Sequence, residues 1–225
     1  MNFDAHDYIR RLTKMVEALK QAEGVRVTHF SVQPGATPAE IAAAQEALGR
    51  ALPATLRALY EAANGVQLLW THEDHVDFNP DDDTPFSDTW LAQDSVSENE
   101  AQVGAIALVT LGELTKRYDW IDRPLWIIDT FSFFNWSAVE IPTDDATPIE
   151  DPFVRVGDDH NATFEDCRPI RLSSYLELTL ALHGSITARR QALTGYRAAS
   201  QPELVHAPTP PLPLEEILTK EALGR

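Results

Sequence analysis

Apolar residues recur at helical spacing at the start of the chain. Phe3, Tyr8, Ile9, Leu12, Met15, Val16 and Leu19 make one face of residues 3 to 22, Arg10, Arg11, Lys14 and Lys20 fall mostly elsewhere, and Gly24 ends the run, which predicts a helix. Residues 25 to 32, VRVTHFSV, then alternate Val25, Val27 and His29 against Arg26, Thr28 and Phe30, the period of a strand. After the Pro34-Gly35 turn, Ile41, Ala44, Gln45 and Leu48 return to helical spacing. Thr37 stands as the cap, Pro38 as the first helical residue and Glu40 three residues past the cap. A second stripe of Leu52, Leu56, Leu59, Tyr60 and Ala63 is opened by Pro53 and closed by Asn64-Gly65, residues tolerant of positive φ. The two short helices, joined by the Leu52-Pro53 corner, are expected to pack as an α-hairpin.

Beyond Gly65 the pattern becomes one of strands. Residues 66 to 70 and 105 to 109 are apolar runs, with an acidic irregular stretch from 72 to 102 between them and a short helix, LGELTKRYDW, after the second. Residues 125 to 141 predict two strands around a turn, and 153 to 156 and 167 to 172 two more. Ser173 and Ser174 are candidate caps for a helix carrying Tyr175, Leu176, Leu178, Thr179 and Leu182 and ending at His183-Gly184. Helices first, then strands, then a closing helix predict an α+β fold. Residues 185 to 199 look like an extension with Arg189, Arg190 and Arg197 as a small basic patch. The proline-rich residues 201 to 213 should run extended. The terminal amphipathic segment LEEILTKEALG either docks back onto the domain or swaps onto a partner, docking back being favoured.

Charge changes this picture more than composition does. The 225 residues carry a formal charge of −17, a surface that repels nucleic acid and anionic membrane and attracts a basic partner, while also serving solubility. The one cysteine, Cys167, excludes an internal disulfide and a cysteine metal cluster. Charges in MNFDAHDYIRR stand where a secretory signal needs an apolar run, and no apolar stretch reaches membrane-spanning length, so a cytoplasmic location is expected.

Between Arg57 and Lys116 lie twelve carboxylates and neither Lys nor Arg: Glu61, Glu73, Asp74, Asp77, Asp81, Asp82, Asp83, Asp88, Asp94, Glu98, Glu100 and Glu113. Carboxylates this dense repel one another unless a basic partner or a cation offsets them. Trp70, Phe78, Phe86 and Trp90 are interleaved with them, and aromatic anchors in a charged surround suit a protein interface. The candidate partner-binding residues are therefore Trp70, Glu73, Asp74, Asp77, Asp81, Asp82, Asp83, Asp88, Trp90, Glu98 and Glu100. Trp70 and Trp90 are expected near the surface, and Trp126 and Trp136 in the core. A solvated loop with inward-packed aromatics is the competing reading.

Metal and catalytic readings are weaker. Asp77, Asn79, Asp81, Asp83 and Asp88 match positions of a calcium loop, but Asp82 replaces its glycine, Pro80 stiffens it and Asp88 replaces its glutamate. His72 and His75 are three apart, unlike a zinc-protease helix. Cys167, His160 and Asp158 or Asp159 include the residue types of a thiol nucleophile system, yet Cys167 falls in a predicted strand. Phosphate-loop glycines and G-x-S-x-G are absent. Neither an enzyme nor a metal or cofactor is expected.

The wording LGRALPATLRALYEAANGV, with Leu52, Pro53, Asn64 and Gly65 as its fixed points, resembles the signature of the SUKH superfamily, the Smi/Knr cell-wall-regulator-like proteins. A second point of likeness is IRLSSYLELTLAL, where Tyr175 stands in place of the family's usual Phe. The resemblance spans residues 37 to 183. It implies a SUKH-like mixed β-sheet covered by the N-terminal helical hairpin and a C-terminal helix, with residues 1 to 36 and 184 to 225 as extensions. It further implies an immunity protein that neutralises a cognate bacterial toxin, and the acidic surface with its aromatics supplies the expected means, stoichiometric occlusion of a basic toxin domain. A regulatory scaffold recruiting partners through its C-terminal tail is the alternative, and a metal-dependent enzyme or sensor the third reading.

Overall fold

The apolar face read from residues 3 to 22 becomes helix α1, Ala5–Leu19, with Tyr8, Leu12, Val16 and Leu19 buried and the Asp4 carboxylate accepting from the Asp7 N–H. The computed structural model describes residues 3–73, 103–116, 125–131, 135–140, 149–158, 170–193 and 211–222. Strand β1, Val25–Val32, follows, then α2, Pro38–Leu48, and α3, Ala54–Ala62. After these come β2, Val66–His72, β3, Val103–Leu108, and the single turn α4, Leu111–Leu114. The chain continues through β4, Leu125–Asp129, β5, Asn135–Glu140, β6, Phe153–Asp158, and β7, Ile170–Arg171. Helices α5, Leu172–Ala181, α6, Ile186–Leu193, and α7, Leu214–Ala222, complete it. Helices and an antiparallel sheet in segregated runs make the protein α+β.

The strands form one seven-stranded sheet in chain order, β1 to β7. Every pairing among the described residues is antiparallel, where the family likeness implied a mixed sheet. Neighbours in the sheet are neighbours in strand order, with α2 and α3 inserted between β1 and β2, so the sheet is an antiparallel meander. Helices α1, α3 and α5 pack on one another over this sheet. Arg11 of α1 donates from Nη1 to Glu177 of α5 at 2.8 Å, and the Tyr8 hydroxyl meets Thr179 Oγ1 at 3.1 Å. A single apolar cluster runs from Tyr8 to Ile217, so residues on both sides of the 37–183 stretch join the same core. No helix among the described residues is long and apolar enough to cross a membrane.

Local chemistry explains several boundaries. Thr37 and Glu40 form a reciprocal capping box, the Glu40 carboxylate accepting from the Thr37 N–H at 2.7 Å, and α2 ends on Gly49 at φ 71°. Pro53 has no capping side chain, so the first N–H groups of α3 donate to the Ile149 and Glu150 carbonyls instead. Gln45 Oε1 accepts from the Leu52 N–H and holds the corner. Of Asn64-Gly65 only Gly65 takes positive φ, 118°; Asn64 uses its side chain, Oδ1 accepting from the Leu111 N–H at 2.8 Å. The α-hairpin expected of α2 and α3 is not the main packing relation. Helix α3 rests on α1 and α5, while α2 rests on α4, because the Leu52-Pro53 corner turns the two stripes toward different neighbours.

Two further expectations change. In β1 Val27 faces Trp70 and His29 faces Leu69, so Thr28 is an extra residue in a β-bulge. The bulge resets the alternation, and Val25 and Val27 before it and Phe30 and Val32 after it all pack on the core, leaving His29 bonded to Ser31. Helix α5 starts at Leu172, without a serine cap. Asp151 from the preceding loop accepts from both Ser173 N, at 3.0 Å, and Ser173 Oγ, at 2.6 Å. A carboxylate at a helix start is a stronger acceptor than a hydroxyl, and it complements the dipole there.

Candidate functional site

Strands β2 and β3 pair from Val66↔Leu108 to Thr71↔Val103, so the acidic stretch is the connection between two directly bonded strands and both its ends are fixed. Glu73 is exposed, and its N–H donates to the Gly24 carbonyl at 2.8 Å just before β1 begins. Gly24 has φ 71°, and a Cβ there would lie 2.7 Å from His72 Nε2, so glycine lets the chain close against the end of β2. Of the candidate partner-binding residues, Trp70 and Glu73 lie within this base. Asp74, Asp77, Asp81, Asp82, Asp83, Asp88, Trp90, Glu98 and Glu100 lie outside the described residues, as do His160, Cys167 and the calcium-like spacing from Asp77 to Asp88. Among the described residues no group of three or more His, Cys, Asp or Glu is placed to hold a metal ion.

Trp70 is a correction. Expected near the surface as an anchor, its side chain is fully buried, and its indole Nε1 donates to the His183 carbonyl at 2.7 Å. It shares the inward face of β2 with Val66 and Leu68 by the two-residue period of a strand. Its direct partner across the ladder is Gly104, where an added Cβ would fall 2.0 Å from Nε1. The indole occupies the space that glycine leaves.

Behind Trp70 the sheet forks. Strand β3 meets β4 in register only at Leu108↔Asp129, and the Ala107 and Val109 backbones add bonds to Thr130 and Ile128. Toward the other end of β3, at Gly104 and Ala105, the neighbour is the turn between α5 and α6: Gly104 bridges to Ser185, and the Ala105 N–H donates to the Gly184 carbonyl at 2.9 Å. That turn is a wedge between β1–β3 and β4–β7. Its chain reversal uses two successive left-handed residues, His183 at φ 52° and Gly184 at φ 73°. For His183 this conformation costs about 1–2 kcal/mol. Bonds on both sides offset it: its carbonyl accepts from Trp70, and its ring Nε2 donates to the Leu212 carbonyl at 2.9 Å.

The fork is lined by a buried polar network. Asp129 accepts from the Ala107 N–H at Oδ1, and at Oδ2 from the Tyr175 hydroxyl at 2.7 Å and Arg189 Nη1 at 3.0 Å. Ser137 donates to the Tyr175 oxygen at 2.9 Å. Arg189 Nη2 donates to the Ala105 and Gly184 carbonyls, Nε reaches the Ser185 carbonyl, and the guanidinium lies 4.1 Å from the Phe131 ring centre. Burial, reinforced by the Asp129 charge, pushes the Tyr175 phenol well above its ordinary pKa, so it stays a hydroxyl donor. Every charge here has a partner, and the network's chemistry is to close the fork.

Arg189 is the second correction. Expected in a small basic patch with Arg190 and Arg197, it is fully buried and paired with Asp129. Ile186, Arg189 and Leu193 stand at i, i+3 and i+7 of α6, which places Arg189 on the apolar face, and that spacing was a legible signal. Asp129, closing the apolar run LWIID, was the matching one. No protein-family model matches the chain, and comparison with curated proteins returns no match.

Proposed function

We propose that the chain is a SUKH-like cytoplasmic partner-binding protein, an immunity protein that neutralises a cognate toxin by covering a basic surface on it. It acts stoichiometrically, without a metal or cofactor, and is not an enzyme; neither nucleic acid nor a membrane is its target. The observation that carries this reading is the β2–β3 connection. Residues 74 to 102 hold nine carboxylates and no Lys or Arg, and they spring from a base pinned on one side to Gly24 and on the other to Val103. An anchored base presents the two ends of the segment to a partner from a fixed place. Like charges gathered on it raise the encounter rate with a basic partner more than they deepen final affinity.

Burial of Trp70 moves the aromatic contribution to residues beyond Glu73, with Trp90 as the anchor this reading retains. The scaffold alternative asked for a recruiting C-terminal helix. Ile217 of α7 is 1% exposed, so that helix already spends its apolar face inside the chain. The test is the triple variant Asp81→Lys, Asp82→Lys, Asp83→Lys, coexpressed with the cognate toxin. Protection should fail and the association rate should drop at least about tenfold at low salt. Unchanged rate and protection would overturn the proposal.

A further inference from the structure

His183 is the one non-glycine among the described residues at positive φ, and it holds two separate parts of the protein at once. Strain kept at a residue that glycine could replace invites a reason. Its ring reaches outward to the C-terminal segment 211–222, whose Leu212 carbonyl accepts from Nε2 while the Leu212 N–H donates to the Ala181 carbonyl at 3.2 Å. A carbonyl only accepts, so Nε2 carries the proton, and the other ring nitrogen, Nδ1, is buried without a partner among the described residues. The backbone of the same residue reaches inward and accepts the Trp70 indole N–H. Trp70 lies one residue before the Thr71↔Val103 pair at which the acidic connection begins and ends.

We infer that the segment 211–222 is a strap whose seating controls order at the base of the acidic connection, with His183 as the coupling residue. The strap is held by the buried Ile217, the half-buried Leu212, Leu214 and Leu218, and the backbone and ring bonds at Leu212. So small an attachment opens at lower free energy than the core unfolds. With the strap lifted, the His183 ring loses its acceptor, and the left-handed residue is left with its backbone bonds alone. The carbonyl is then freer to leave Trp70, whose buried indole N–H has it as acceptor. Coupling of this kind is reciprocal, so whatever stiffens the base also favours the seated strap. The inference concerns the free chain and does not depend on the partner.

Two variants of the full chain test it by hydrogen exchange, with the Trp70 indole N–H followed by NMR and assigned through Trp70→Phe. Ile217→Asp unseats the strap from its apolar side, far from the turn. His183→Gly keeps the positive φ and removes the ring bond. In both, exchange should quicken in residues 211–222, and the Trp70 indole N–H and the amides of Thr71 to Glu73 should exchange about tenfold faster, with the circular dichroism unchanged. Fast exchange in the strap with no change at Trp70 in either variant would overturn the coupling. Unaltered exchange in the strap of Ile217→Asp would overturn the strap itself. Should His183→Gly unfold, Ile217→Asp decides alone.

Discussion

Arg189 and Asp129 meet through a 3.0 Å ion pair in which neither side chain is exposed. Their elements are α6 and the end of β4, and the pair sits where β3 and β4 part company. A buried pair is weak evidence of net stabilisation, because desolvation offsets much of the attraction, but it leaves no tolerance for losing one partner. Arg189→Met should cost about 3–5 kcal/mol in denaturant unfolding by stranding the Asp129 carboxylate. Pairing it with Asp129→Leu should recover much of that loss. Additive costs in this cycle would show that the two residues do not act as a unit.

Trp70 and Gly104 are the corresponding steric pair. Gly104→Ala would place a methyl on the indole, and overpacking of this kind costs about 1–3 kcal/mol. The same substitution in a Trp70→Leu background should cost markedly less than in the wild-type chain. Trp70→Phe keeps a ring over Gly104 and forfeits the bond to His183, a loss of about 1 kcal/mol. The melting temperatures of the four variants check this order.

Tyr8, Tyr60 and Tyr175 are all buried, and burial raises each phenol above its ordinary value of about 10. The unfolded chain releases these protons near the ordinary value while the folded chain retains them. Stability should therefore be full below about pH 10 and fall as pH rises above it. Ultraviolet titration should show three phenols ionising only with unfolding, and Tyr60→Phe should soften the alkaline loss.

If the acidic connection steers a basic partner, the association rate should fall steeply between low salt and physiological salt, whereas dissociation changes little. Stopped-flow association of the wild-type chain with its partner across that range measures the slope. The Asp81→Lys, Asp82→Lys, Asp83→Lys variant should flatten it.

Much of the fold was legible from periodicity. The stripe from Tyr8 to Leu19, the capping box at Thr37 and Glu40, and the α+β order all rest on spacings of a few residues, which local sequence encodes directly. Polar or amphipathic residue type points a side chain outward, and at two positions the fold does the opposite. Trp70 precedes a run of charges and Arg189 carries its own, yet each stands on an apolar face by count and is buried.

Sequence alone determined most of the segments, the capping box at Thr37 and Glu40 and the concentration of carboxylates between β2 and β3, because those follow from neighbours along the chain. Only the tertiary structure decided where the sheet divides, which turn fills the division and how the C-terminal segment is seated on it. Those outcomes depend on pairs such as Asp129 with Arg189, Trp70 with Gly104 and His183 with Leu212. Such partners are chosen by the space and hydrogen-bonding groups that remain once the elements have packed, which no spacing along the chain records.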